Sequence, residues 1–136
     1  METSSITYTG DLRTEAVHVK SGQMFITDAP TDNQGRGEAF SPTDLLATSL
    51  GVCAITVVGI AARTHGFNVD GTEIKITKIM ASDPRRVGEL IVEFTFPPIK
   101  YSEKEKQIIR HTINTCPVGL SMHPDLKQTF ILNFSD

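Results

Sequence analysis

The sequence predicts an α+β chain in which antiparallel strands wrap around one long, buried central helix. Three observations carry that reading. Residues 45–62 are apolar or small throughout and hold no charge. Runs with a period of two stand on both sides of this stretch, separated by short Gly-, Pro- or Ser-containing turns. A chain of 136 residues suits one domain, 1–136, with a core that needs no staples.

The N-terminal part reads as short strands. Thr14, Ala16 and His18 alternate with Glu15, Val17 and Val19, and residues 23–27 follow a Ser21-Gly22 turn. The loop 28–40 holds Pro30, Asn33, Gly35 and Gly37, and its length points to function or mobility. The helix then has a clear start. Ser41 is a good N-cap, Pro42 fits the first helical position, and Asp44 completes a capping-box spacing. Gly66 is a plausible stop. Ala47, Gly51 and Ala54 form a small-residue stripe that invites close approach by another backbone.

Two longer strands are expected at 72–80 and 87–96, joined by a turn at Ser82-Asp83-Pro84. In the second, Leu90, Val92, Phe94 and Phe96 alternate cleanly with Glu89, Ile91, Glu93 and Thr95. A second helix starts at Ser102, with Glu105 completing another capping box and Ile108, Ile109, Thr112 and Ile113 on one face. Pro117 interrupts it, so Cys116 to Leu120 reads as a new short helical start. A last strand is expected at 129–134.

A helix apolar all round must be buried all round. One sheet covers only one side, so the uncharged stretch implies a second copy of the chain on the other, as an intertwined homodimer. Net charge is −3 and the largest basic cluster is the pair Arg85-Arg86, which argues against a nucleic-acid surface. No apolar run is expected to span a membrane, and the polar start lacks a signal-peptide pattern. These readings place the chain in the cytoplasm, where thiols stay reduced.

The only cysteines, Cys53 and Cys116, are 63 residues apart, which is neither CxxC nor a zinc ribbon. Cys53 reads as a small core residue or as a reactive thiol. Cys116 lies near helix-terminal amides, which can depress a thiol pKa and make it more thiolate and more nucleophilic. His18, His65, His111 and His123 make no close ligand pair, so no metal is expected. A redox site needs a cation for its thiolate. Arg63 lies ten residues along the same helix from Cys53, roughly 15 Å away, and is a poor partner. Arg36, in the glycine-containing loop, and Arg13, on a strand, remain candidates.

The stretch Phe40-Ser41-Pro42-Thr43-Asp44-Leu45-Leu46-Ala47-Thr48-Ser49-Leu50-Gly51-Val52-Cys53, with Cys116-Pro117-Val118 downstream, resembles the OsmC-like family. The resemblance implies an intertwined dimer that reduces hydroperoxides, preferably organic ones, without a metal or organic cofactor. It makes Cys53 the peroxidatic cysteine and Cys116 the resolving one, with a dithiol reductant as partner. It also implies a glutamate after the helix-starting proline, paired with an arginine. Thr43 stands there instead. Asp44 is accounted for as a cap and falls opposite Cys53 on an ideal helix; Glu38, in the loop, is another candidate substitute carboxylate. Beside this enzymatic reading stands a non-enzymatic one, a dimeric binding protein for a small apolar or acyl ligand at an interface pocket.

Overall fold

The computed structural model describes residues 1–135; Asp136, the last residue of the expected domain, lies outside them. The chain forms two compact units, Met1–Leu46 and Ala47–Asp136. Each contains a three-stranded sheet.

In the first unit, β1 (Ser4–Gly10), β2 (Arg13–His18) and β3 (Met24–Asp28) form an antiparallel meander. β1 is an additional strand that the polar reading of the N-terminus passed over. Its Ile6 pairs with Ala16, which pairs with Phe25, giving an apolar row across the sheet. Ile6 and Phe25 are exposed in the chain alone. The loop after β3 is built rather than slack. It contains a 3₁₀ turn, Thr31–Asn33, and the amides of Gly35 and Gly37 donate to the carbonyls of Pro30 and Ala29.

The helix α1 (Pro42–His65) begins with the expected capping box. The Asp44 amide donates to Ser41 Oγ at 3.1 Å, and the Ser41 amide donates to Asp44 Oδ2 at 3.0 Å. Asp44 is thereby accounted for as a cap.

The second unit holds the rest of α1, β4 (Glu73–Ala81), β5 (Arg86–Thr95), α2 (Glu103–Asn114), α3 (Pro117–Ser121) and β6 (Lys127–Asn133). Its sheet runs β4-β5-β6. β4 and β5 are antiparallel, as the hairpin turn requires, but β6 runs parallel to β5. The expectation of antiparallel strands alone is corrected here. A parallel pair needs a long crossover, and α2 and α3 supply it. Leu90, Val92 and Phe94 on β5, Leu50, Ala54 and Val58 on α1, and Ile109 on α2 are fully buried. Each large aliphatic or aromatic side chain among them contributes on the order of 1.5–3 kcal/mol by leaving water.

The small-residue stripe of α1 does allow a close approach, and side chains of the chain's own sheet make it. A Cβ added to Gly51 would meet Ile76 Cδ1 at 2.6 Å and Ile74 Cγ2 at 3.2 Å. Within this chain the opposite side of α1 stays open, with Val52 and Ile60 each more than half exposed. By length and composition alone α1 is apolar enough to cross a membrane, which corrects the expectation that no run reaches that length. Its buried face on the sheet is that of a core helix.

Candidate active site

The break between α2 and α3 positions the second thiol. Pro117 has no amide to continue α2, so the chain turns at Thr115-Cys116 and restarts with Pro117 in the first helical position. Cys116 becomes the N-cap residue of α3, and its side chain points inward, 1% exposed. Cys53 sits midway along α1, half-buried. The amide of Val118, the second residue of α3, donates to Cys53 Sγ at 3.5 Å. The two thiols are close enough for Cys53 to influence the titration of Cys116. Sequence spacing left their proximity open, and folding brings them together.

Their environments differ. Burial pushes the Cys116 thiol above the ordinary range, opposed by the Gly119 amide and reinforced by the charge and hydrogen bond of Cys53. The expectation of a depressed Cys116 pKa is thus corrected. Desolvation outweighs the amides of a five-residue helix. A buried neutral thiol is a poor first nucleophile, while the more exposed Cys53 can meet a reagent from solution.

Gly119 sits in a tight place. A Cβ there would lie 2.9 Å from Gln128 Oε1 and 3.3 Å from both Cys116 Sγ and Leu50 Cδ1. The Gln128 amide Nε2 donates to the Gly119 carbonyl at 2.9 Å.

In the first unit, Arg13 and Glu38 come together around a residue the sequence did not single out. Arg13 Nε and Nη2 donate to the two oxygens of Asp28 at 2.7 and 2.8 Å. Arg13 Nη2 also donates to Glu38 Oε1 at 2.9 Å, and the Glu38 amide donates to Asp28 Oδ2 at 3.1 Å. Asp28 is 1% exposed. The Arg13 hydrogen bonds hold its carboxyl below the usual range against the opposing cost of burial, and Asp28 in turn raises Arg13. Such a planar bidentate pair fixes the guanidinium as a lysine would not. Arg36 makes only a 3.5 Å contact with Asp11 in an exposed setting. The sole sequence hint of Asp28 was its place at a strand end before Ala29-Pro30.

The histidines behave as turn and terminus residues. His65 lies in the last turn of α1, and His123 Nδ1 accepts from the Asp125 amide. Among the described residues no cluster of three or more His, Cys, Asp or Glu could hold a metal ion.

Residues 35–129 match the family model of the OsmC-like protein. The chain belongs to the OsmC-like family. A solved structure from Psychrobacter arcticus 273-4, named for osmotic stress induction and a detoxification response, is 52% identical, with a TM-score of 0.94 over 98% of this chain and 96% of that one. An OsmC-like protein from Mycoplasma pneumoniae shares the fold at 17% identity and a TM-score of 0.78, over 98% of this chain and 96% of that one. An organic hydroperoxide resistance protein from Legionella pneumophila does so at 10% identity and 0.76, over 98% of each chain. A search of curated proteins finds no match. The OsmC-like fold of this chain is the α+β arrangement described above.

Proposed function

We propose that this OsmC-like protein is a single-domain, thiol-dependent hydroperoxide reductase acting through Cys53 and Cys116. The observation that supports this reading is the bond from the Val118 amide, two residues after Cys116, to Cys53 Sγ, which brings two thiols far apart in sequence to one place. The Cys53 thiolate attacks the O–O bond. An S–O bond forms, the O–O bond breaks, and the departing alkoxide takes a proton to leave as an alcohol. Cys53 is now a sulfenic acid. Cys116 sulfur then displaces its oxygen; the S–S bond forms and water leaves. A dithiol reductant reopens the disulfide by thiol exchange. This sequence uses no metal and no organic cofactor.

The guanidinium and carboxylate that the family resemblance calls for fall to Arg13 and Glu38 in this reading, with Asp28 holding Arg13. Thr43 has no carboxylate to offer, and Arg36 is less firmly held. The protein works as a homodimer in the cytoplasm, on small organic hydroperoxides. The exposed Val52 and Ile60 on α1 support the homodimer, since an uncharged helix face is costly to leave in water. A stable monomer in sedimentation at micromolar concentration would contradict it.

The test is consumption of cumene hydroperoxide with dithiothreitol as reductant. The wild-type chain turns over, and Cys53→Ser falls to the uncatalysed rate. Thiols that stay reduced under excess peroxide would instead favour a ligand-binding role for the same fold.

A further inference from the structure

We infer that Gln128 is a positioning residue for the disulfide-forming step, acting through its hydrogen bond to the Gly119 carbonyl of α3. The inference rests on the redox reading above and concerns only the second half of that reaction.

β6 presents Gln128, Phe130 and Leu132 on one face, paired with Leu90, Val92 and Phe94 of β5. Leu90, Val92 and Phe94 are fully buried, so Gln128 is a polar side chain in an otherwise apolar row. A residue that breaks its local pattern needs a compensating use. Here its amide donates to Gly119 at 2.9 Å, in a half-buried setting.

The helix that receives this bond has little to hold itself. α3 is five residues long and its N-cap, Cys116, makes no side-chain cap. A single turn is marginal without outside contacts. The bonds at its ends include Leu120 N–H to Cys116 O, Ser121 Oγ to Pro117 O, and a long 3.4 Å contact from Met122 N–H to Gly119 O. Yet α3 carries the amide that meets Cys53 Sγ and the Gly119 amide that meets Cys116. The Gln128 bond therefore ties the segment that registers the two sulfurs to a strand of the sheet.

Cys53 sulfenic acid has two fates in the presence of dimedone: capture by the reagent, or displacement by Cys116 with loss of water. Weakening the hold on α3 slows the second fate and leaves the first open. The bond of one amide to one carbonyl shifts a local equilibrium by roughly three- to tenfold.

The experiment oxidises full-length protein with one equivalent of cumene hydroperoxide in the presence of dimedone and reads the products by intact-protein mass spectrometry. Gln128→Glu keeps the shape and loses the donor when ionised; Gln128→Ala removes the donor without adding charge. Both are expected to raise the ratio of dimedone adduct to Cys53–Cys116 disulfide by about three- to tenfold over wild type. Gln128→Glu should move back toward the wild-type ratio when acidified enough to protonate the new carboxyl, whereas Gln128→Ala should not. Unchanged ratios in both variants, with the disulfide formed normally in wild type, would overturn the role of Gln128 alone. Absence of that disulfide from the wild-type protein would overturn the redox reading and this inference with it.

Discussion

The two units bury acids in opposite charge states. Asp28 in the first is nearly inaccessible and held ionised; Cys116 and Tyr101 in the second are buried and pushed toward their neutral forms. Burial acts the same way on all three, against charge. The difference is a partner. Asp28 has the two-pronged guanidinium of Arg13 and the Glu38 amide. Cys116 has two amides, too little to offset desolvation, and the neighbouring Cys53 adds to the rise. One region stores a fixed charge and the other a neutral, shielded thiol.

The sharpest way to break this contrast is at the thiols. Cys53→Ser should abolish peroxide turnover. Cys116→Ser should leave Cys53 able to react once, with the sulfenic acid accumulating or oxidising further, as dimedone labelling would reveal. Equal loss of the first oxidation in both variants would remove the distinction between attacking and resolving sulfur.

Next comes the charged cluster. Arg13→Ala should lower turnover by roughly tenfold or more if its charge-assisted bonds serve the site. Asp28→Asn should produce much of that loss while keeping Arg13, because the guanidinium is then held by Glu38 alone. Arg36→Ala should change turnover little. A steady-state assay on the three variants ranks them.

The pH response should separate the units. Asp28 is lowered in the folded state, so its contribution to stability is present above the ordinary carboxylate pKa, about 4, and is lost as pH falls below it. Cys116 is raised, so its contribution is present below the ordinary thiol pKa, about 8.5, and is lost as pH rises through its higher folded value. Tyr101 is raised by burial first and by Glu105 second, and adds to the alkaline loss. Asp28→Asn should flatten the acid limb of a denaturation-midpoint profile and leave the alkaline limb in place; Cys116→Ser should do the reverse.

The smallest effect is expected at the helix–sheet contact. Gly51→Ala gains about 1 kcal/mol of helix propensity and costs about 1–3 kcal/mol of overpacking against Ile76. The net is a destabilisation between zero and about 2 kcal/mol, read by urea denaturation.

Local chemistry made much of this fold legible. Ser41 with Asp44 and Ser102 with Glu105 wrote both capping boxes into the sequence, and the alternation around Phe94 marked the central strand. The direction of β6 was not legible, because strand sense depends on how a crossover returns rather than on any residue in the strand. Cys53, Cys116, Arg13 and Glu38 were put forward by residue type and resemblance. Asp28 was not, since one carboxylate at a strand end looks the same from sequence whether it faces water or a buried arginine. Gln128 did carry a signal, a polar residue in an apolar row, that only the strand register makes readable.

The account turns on whether Cys53 and Cys116 form one redox unit. Peptide mass spectrometry after one equivalent of cumene hydroperoxide tests this directly, with alcohol release measured alongside. The predicted result is a Cys53–Cys116 linked peptide and one equivalent of alcohol. Unlinked peptides, with Cys116 still a free thiol and Cys53 either reduced or carried on to its sulfinic acid, would contradict it.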